Sequence, residues 1–422
     1  MTKISRRRFL AASAAATAPL ILPKKVWGAN DQIALGCIGN GGMGRHVMRA
    51  MDHSGEARVV AVCDVDAHHR QEAANMLEYD VDQYGDYRQL LERNDVDAVL
   101  ISTPDHWHAV QTVHACQAGK DVYVEKPACN TVSEGHAMKE AIRRYDRIVQ
   151  VGSQGRSMDA FYPICNYIRN GELGEVTRVD CWHYENRSGG DAPDQEPPDH
   201  LDWDMWLGPA RWVPYNPDRC HFTFRWFMEY GGGNVRDRGA HVLSLVQWFL
   251  DIDDRGPTRV TATGTPPLEG NYNCPTEMDV TWEFEDPELV ITWRQPGDPP
   301  EHVDHGFGAV YHGSEGSLTV TGGDGGGGSA DGDVAEYEPP ADGERVFKSP
   351  GHHQNWFDCI RSREQPIMHI EAGHRVAVLC ILANLAYQLG RPLEWDPVAE
   401  RVIGDEQANR LLHEPGRGPW HV

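Results

Sequence analysis

The sequence predicts an α/β protein in two parts. A doubly wound parallel sheet over residues 30–152 is followed, over 153–422, by an α+β domain with an open, largely antiparallel sheet. Three observations carry this. Up to residue 152, apolar runs of strand length alternate with helical patterns, as a parallel sheet demands. The first run, Ile33–Ile38, passes at once into Gly39-Asn40-Gly41-Gly42-Met43-Gly44 and then a helix-like stretch. Beyond residue 152, strand candidates follow one another without intervening helices, which means an antiparallel or mixed sheet.

The chain opens on an address. Ser5-Arg6-Arg7-Arg8-Phe9-Leu10 precedes an Ala-rich run, Ala11–Leu22, and small residues near Gly28-Ala29. Twin arginines followed by Phe-Leu read as a Tat export signal over residues 1–29. The apolar run is too short for a stable membrane span. The expected location is periplasmic or extracellular, and the Tat export machinery an expected partner.

The glycine stretch is weak as a bare G-x-G-x-x-G, because glycine-rich turns are common. Its context strengthens it: strand before, helix after, and a second apolar run, Arg58–Cys63, closed by Asp64 25 positions after Gly39. That is the dinucleotide fingerprint. Gly39 makes the tight turn, Gly41 lets backbone approach a pyrophosphate, and Gly44 lets helix and strand pack closely. Asn40, Gly42 and Met43 complete the loop, whose helix N-terminus offers N–H groups to phosphates. Asp64 is placed to accept hydrogen bonds from the adenosine ribose. With Val65 next and no adjacent Arg, its charge disfavours a 2′-phosphate, so NAD is expected rather than NADP. A Tat substrate must load such a cofactor before export, so tight binding and recycling in place are expected.

Further along, His68–Leu77 and Asp86–Leu91 read as helices and Ala98–Ile101 as a buried strand. That strand ends at Ser102-Thr103-Pro104-Asp105-His106-Trp107-His108. Helix Val110–Ala118, strand Asp121–Val124, Glu125-Lys126-Pro127, helix Ser133–Tyr145 and strand Ile148–Gly152 complete the first domain. Ligands of such sheets lie at strand carboxyl ends. Thr103, Pro104, Asp105, His108, Glu125 and Lys126 are therefore cofactor-binding candidates.

In the second domain, helix Phe161–Asn170 leads to strand Val176–His183, and a Pro- and Trp-rich stretch, Glu185–Gly233, wraps the surface or roofs a cleft. Helix Gly239–Leu250 precedes strands Arg259–Gly264, Asp279–Glu285, Leu289–Gln295, Ala309–His312 and Ser317–Thr321. Gly322–Asp333 reads as a surface loop, and residues 353–422 as a helical tail with helices Asn355–Arg361, Ala372–Leu389 and Asp405–Leu412.

Composition narrows the partners. A formal net charge of −24 argues against nucleic acid and anionic membrane surfaces, which need a basic face. Ten cysteines without a C-x-x-C pair form neither a disulfide framework nor a zinc ribbon. Lysines are scarce after Lys25, so Lys126 at a strand's carboxyl end stands out. An ammonium there can hydrogen-bond a substrate hydroxyl and steady an oxyanion as a carbonyl forms. Asp237-x-x-x-His241 at the start of a helix sets carboxylate and imidazole one turn apart. Such a His can take a hydroxyl proton. A surface lysine, a capping Asp and a core His are the ordinary alternatives. A metal is not expected, since Asp237 and His241 alone rarely suffice to hold one.

Taken in order, the glycine loop, the Ser-Thr-Pro-Asp-His-Trp-His turn, Glu-Lys-Pro and Asp-x-x-x-His resemble the Gfo/Idh/MocA oxidoreductases. Asn355–Arg363 and Leu393-Glu394-Trp395-Asp396-Pro397 resemble that family's exported branch. The resemblance implies a Rossmann domain, a C-terminal domain whose open sheet joins subunits in a homo-oligomer, and NAD(P)-dependent hydride transfer at a hydroxyl carbon of a sugar, polyol or glycoside. Carried onto this chain, it makes Lys126 the catalytic lysine, Asp237 its polar partner and His241 the acid/base. It also implies a cis proline around Lys126–Pro127. Tyr184, Arg187, Arg238 and Tyr311 are substrate-contact candidates by position. Many members carry Asp three residues after the histidine; here that place is Ser244. Two alternatives stay open: an NAD-dependent glycoside hydrolase or lyase working through a transient keto-sugar, and a non-enzymatic carbohydrate-binding protein.

Overall fold

A computed structural model describes residues 31–422 apart from 302, 304–305, 324–327, 331 and 414; the twin-arginine segment lies outside the described residues. The first domain runs β1 (Ile33–Ile38), α1 (Gly42–His53), β2 (Ala57–Cys63), α2 (Ala67–Asn75), β3 (Asp82–Tyr84), α3 (Tyr87–Leu91), β4 (Ala98–Ile101), α4 (His108–Gln117), β5 (Asp121–Val124), α5 (Val132–Tyr145) and β6 (Val149–Val151). Its strands pair in parallel in the order β3-β2-β1-β4-β5-β6. β4 and β5 are buried throughout because helices cover both faces, which is why they read as unbroken apolar runs. The order reverses between β1 and β4, and the crevice there opens at the carboxyl ends of the strands.

The second domain adds α6 (Phe161–Arg169), β7 (Val176–Trp182), α7 (Trp203–Leu207), α8 (Asn234–Asp237), α9 (Gly239–Phe249), β8 (Arg259–Thr265), β9 (Glu277–Glu285), β10 (Glu288–Gln295), β11 (Gly308–Gly313), β12 (Ser317–Gly322) and β13 (Gly328–Ala330). α10 (His352–Ser362), α11 (Ile370–Leu389), β14 (Leu393–Asp396), β15 (Arg401–Val402) and α12 (Glu406–Leu411) complete it. Its sheet runs β13-β12-β11-β7-β10-β9-β8-β14-β15, and only the β7–β10 pair is parallel. Along β9, Met278, Val280, Trp282 and Phe284 face inward while Glu277, Asp279 and Glu285 do not, the period-2 signature of a half-covered sheet. The covering helix is α11, apolar on all sides because it is buried almost throughout its length. The Trp282 indole also donates to the Leu379 carbonyl at 3.0 Å, tying sheet to helix.

Four strands escape the sequence pattern. β3 is polar because it lies at a sheet edge, β14 is short and followed by the two-residue edge strand β15, and β13 lies inside the expected glycine loop. At Gly328 in β13 a side chain would collide with the Phe161 ring, so the strand is possible there only without one. All ten cysteines are free and buried.

The Pro- and Trp-rich stretch forms its own aromatic cluster of Trp203, Trp206, Phe227, Tyr230 and Tyr272. It is fastened to the first domain by backbone bonds, Ala67 N to His200 O at 2.8 Å and Asp202 N to Val65 O at 3.1 Å. The His106 and Trp107 rings both reach the Trp206 carbonyl at 3.0 Å. The stretch therefore packs beside the carboxyl edge of the parallel sheet.

Candidate active site

The glycine loop has the shape that a pyrophosphate needs. Gly39 has φ +82°, and a side chain there would press on the Thr103 nitrogen at 2.6 Å. A Cβ on Gly44 would collide with the Gly39 carbonyl, so helix and turn touch only because neither residue has one. Gly41 and Gly42 differ: no protein atom lies within 4 Å of a Cβ at either. The first turn of α1 has Gly41 as N-cap and receives no side-chain cap, which leaves its N–H groups for an anion. Met43 stands exposed on that turn. Asp64 ends β2 and folds back under the loop, accepting from Asn40 N at 2.5 Å and Asp66 N at 2.9 Å. Arg70 donates to the Asp64 carbonyl at 2.7 Å.

Lys126 leaves the end of β5 through a cis Lys126–Pro127 bond. Its Nζ donates to Asp237 Oδ1 at 2.6 Å and to the Asp237 carbonyl at 3.1 Å. An ammonium has three donors, so one is left for another acceptor. Asp237 ends α8, which is delivered by the turn Gly231-Gly232-Gly233. Gly232 and Gly233 have φ of +64° and +77°, and a side chain on Gly233 would meet Asn186 at 2.6 Å. Asn186 Oδ1 accepts from Asn234 N at 2.7 Å and so seats the start of α8. Arg225 Nε approaches Asp237 Oδ2 at 3.2 Å and Arg238 Nε at 4.0 Å.

His241 lies in the first turn of α9, buried, at 5% exposure. Asp237 and His241 do not share one continuous helix: α8 ends at Asp237 and α9 begins at Gly239, with Arg238 between. His241 N bonds to the Arg238 carbonyl at 3.0 Å, so the two residues are still joined by a single tight turn.

Three carboxyl groups crowd the lysine and are held in different states. Burial opposes ionisation of Asp237, but Lys126, Arg225 and Arg238 overcome it and hold the carboxyl far below its usual range. Burial pushes Glu125 up to about 7, although Lys126 and a Gln154 bond at 3.3 Å oppose it. Asp105 is likewise raised to about 7 by burial, against the pull of Arg236, 3.8 Å away, and Lys126. One fixed carboxylate and two carboxyls poised near neutrality therefore surround Lys126.

The other candidates divide. Thr103 donates its hydroxyl to Gln111 at 2.9 Å, and Pro104 leads into the short turn carrying Asp105. His108, expected at the cofactor, has both ring nitrogens on backbone, Pro127 O at 2.7 Å and Thr103 O at 2.9 Å. It joins the two turns and positions them. Tyr184 is exposed, its carbonyl accepting from Asn234, and Arg187 is exposed. Arg238 lies over the Phe307 ring at 5.6 Å, next to Asp237. Tyr311 is buried against Phe249, so it belongs to the core and not to a substrate wall. Ser244 is also buried, with Oγ accepting from Arg156 at 3.0 Å; Arg156 in turn grips Asp253. A carboxylate at 244 would compete for that arginine.

Sequence reasoning missed Arg225, Arg236, Asn186 and Gln154. Arg236, 3% exposed, holds Asn130 and the Cys129 carbonyl and faces Asp105. Its only sequence signal was its place in Asn234-Val235-Arg236-Asp237, immediately before the carboxylate.

Comparison with known proteins follows the same outline. The model of an oxidoreductase family with an NAD-binding Rossmann fold, Gfo/Idh/MocA, matches residues 33–153, and its C-terminal alpha/beta domain matches 172–318 and 343–422. The chain belongs to the Gfo/Idh/MocA family. Its first domain is thus an NAD-binding Rossmann domain, with the open Gly41 cradle and uncapped α1 terminus fitting that group. Among relatives, inositol 2-dehydrogenase of Salmonella typhimurium is 32% identical over 151 residues, 35% of this chain and 45% of that protein. The inositol 2-dehydrogenase/D-chiro-inositol 3-dehydrogenase of Halalkalibacterium halodurans is 31% identical over 154 residues, 36% and 44% respectively. The chain thus spans under half the length of these relatives. Among solved structures, the WlbA dehydrogenase of Bordetella pertussis, in complex with NADH and UDP-GlcNAcA, superposes with TM-score 0.65 at 19% identity, over 87% of this chain and 99% of that one. Levoglucosan dehydrogenase, with NADH and levoglucosan, gives 0.60 at 18%, over 86% and 99%.

Proposed function

We propose that this family member is an exported, NAD-dependent oxidoreductase that transfers hydride at a hydroxyl carbon of a sugar, polyol or glycoside. The observation that carries the reading is the Lys126–Asp237 pair, 2.6 Å apart, at the end of β5 on the strand edge that also bears the glycine loop. When bound, NAD supplies the hydride acceptor. Asp237 fixes the lysine ammonium, and the donor it leaves over meets the substrate oxygen and stabilises charge there as the carbonyl develops. His241, one tight turn beyond Asp237, takes the hydroxyl proton as general base. Arg225 and Arg238 keep Asp237 ionised while it does this. The inositols for which the relatives are named and the sugar derivatives bound in the neighbouring structures support polyhydroxylated rings as the substrate class.

The twin-arginine segment supports activity outside the cytoplasm with NAD held through turnover, and the open sheet supports assembly of a homo-oligomer. The test is purified protein, assayed for NAD released on denaturation and then against inositols, sugars and glycosides. Stoichiometric NADH change with a polyol is the expected result. Glycoside cleavage without net NADH change would replace dehydrogenation by redox-assisted cleavage, and a protein indifferent to both NAD and carbohydrate would sink the proposal.

A further inference from the structure

Away from Lys126, four imidazoles and two carboxylates meet just past β2. Asp66, 2% exposed, uses Oδ1 to cap α2, accepting from His68 N at 2.8 Å. Its Oδ2 is left to face His221 Nε2 at 3.1 Å and His200 Nε2 at 3.7 Å. His69 Nδ1 lies 3.8 Å from Asp64 Oδ2, and its ring is 4.4 Å from that of His221. His68 stacks on His200 at 3.9 Å. One donor atom each from Asp66, His69 and His221 lies within 4.8 Å of the others.

These side chains come from three separate segments held by backbone. The bridge between Asp66 and Leu201 fixes the second segment to the first. His221, with φ +53°, holds its place at a backbone cost that non-glycine residues seldom bear. A simple imidazolium–carboxylate pair explains one histidine. His221 faces Asp66 and His69 faces Asp64, yet the two rings lie 4.4 Å apart, so completing both pairs by protonation would set like charges together.

We propose that Asp66, His69 and His221 bind a divalent transition ion of the zinc class, with His200 beside the same carboxylate oxygen. Two imidazoles and a carboxylate suit zinc, whereas calcium and magnesium favour all-oxygen sets. Bonds of about 2.0–2.2 Å draw the three donors to roughly 3.3 Å apart, a closure that side-chain rotation supplies. The ion pins the 220–226 segment against the Rossmann edge next to Asp64. Four residues after His221, Arg225 of that segment holds Asp237. The cluster His136, His374 and Glu400 is a poorer site, because Lys139 and Arg375 already occupy its carboxylate.

The experiment titrates chelator-treated, untagged full-length protein with Co²⁺, followed by visible d–d absorbance, with Zn²⁺ in competition. One ion per chain is expected, without a sulfur charge-transfer band, since all ten cysteines are buried. H69A and H221A should each weaken binding by roughly tenfold or more, and H136A should leave it unchanged. Circular dichroism and NAD binding verify that each variant is folded. Failure of the wild type to bind one equivalent, or wild-type affinity in folded H69A and H221A, overturns the assignment. Neither readout requires turnover, so the carbohydrate assignment stands or falls separately.

Discussion

Removing the Lys126 side chain should separate chemistry from cofactor binding, and the structure sets both magnitudes. Lys126→Ala deletes the one donor that Asp237 leaves over for substrate. Loss of such an oxyanion donor costs about 10²–10³ in rate, or ~3–4 kcal/mol. The stability cost should be smaller. A buried charge stripped of its partner costs about 3–5 kcal/mol. Asp237, however, keeps Arg225 at 3.2 Å and Arg238 at 4.0 Å, so a loss of about 1–3 kcal/mol is expected. Asp237→Asn removes the charge that Lys126 leaves behind, so the two changes should not add. The double variant should unfold in urea at a free energy ~1–2 kcal/mol above the sum of the single effects. Turnover is read from NADH formation with the best carbohydrate, NAD affinity from fluorescence quenching, and stability from urea denaturation. Undiminished turnover in folded Lys126→Ala would refute the site. Strict additivity in the cycle would show that the 2.6 Å contact contributes no coupling.

The glycine loop yields a paired test. Gly44→Ala drives a methyl into the Gly39 carbonyl and should disturb the fold of the loop itself. Gly41→Ala meets no protein atom within 4 Å, so it should unfold like the parent yet lose NAD affinity. Equal NAD affinity in Gly41→Ala would mean that no pyrophosphate approaches there. A pH test follows from Glu125. Its carboxyl is raised from 4.5 to about 7, so the folded state binds its proton more tightly than the unfolded chain does. The stability from neutral Glu125 is full below about 4.5 and is lost as pH rises through 7, an upper bound of about 3 kcal/mol. Glu125→Gln should reduce the fall of urea stability between about pH 4.5 and 7, leaving the share that Asp105 contributes. An unchanged slope would show that Glu125 ionises freely in the fold.

What the sequence disclosed depended on whether a residue's role was local. The apolar runs of β1, β4 and β5 could be read because strands covered on both faces need no polar position. β3 could not, since Asp82-Gln83-Tyr84 sits at an exposed edge, where burial imposes no pattern. The break at Arg238 was invisible for a related reason. Arg238 stays in the right-handed helical region at φ −92°, and no proline marks the boundary, so the pattern reads as continuous. His108 was recognised as part of the strand-end constellation, and the structure shows its ring joining the Thr103 and Pro127 carbonyls. Its type suggested chemistry, whereas its surroundings offer two carbonyl oxygens and no open space.

The pairing of Lys126 with Asp237 spans 111 positions, and no periodicity relates residues so far apart. Family likeness put both in one list; geometry shows why each requires the other. A lysine at the end of β5 without Asp237 would have three untethered donors and no fixed direction. Asp237 without Lys126, Arg225 and Arg238 would be a buried carboxyl free to rise toward neutrality, as Asp105 and Glu125 do. Lys126, Arg238 and Arg225, the last passed over by sequence reasoning, are therefore what keeps this one carboxylate charged among neighbours poised near neutrality. A site reader who ranks residues by reactive type alone will find the lysine and overlook the groups that set its partner's charge.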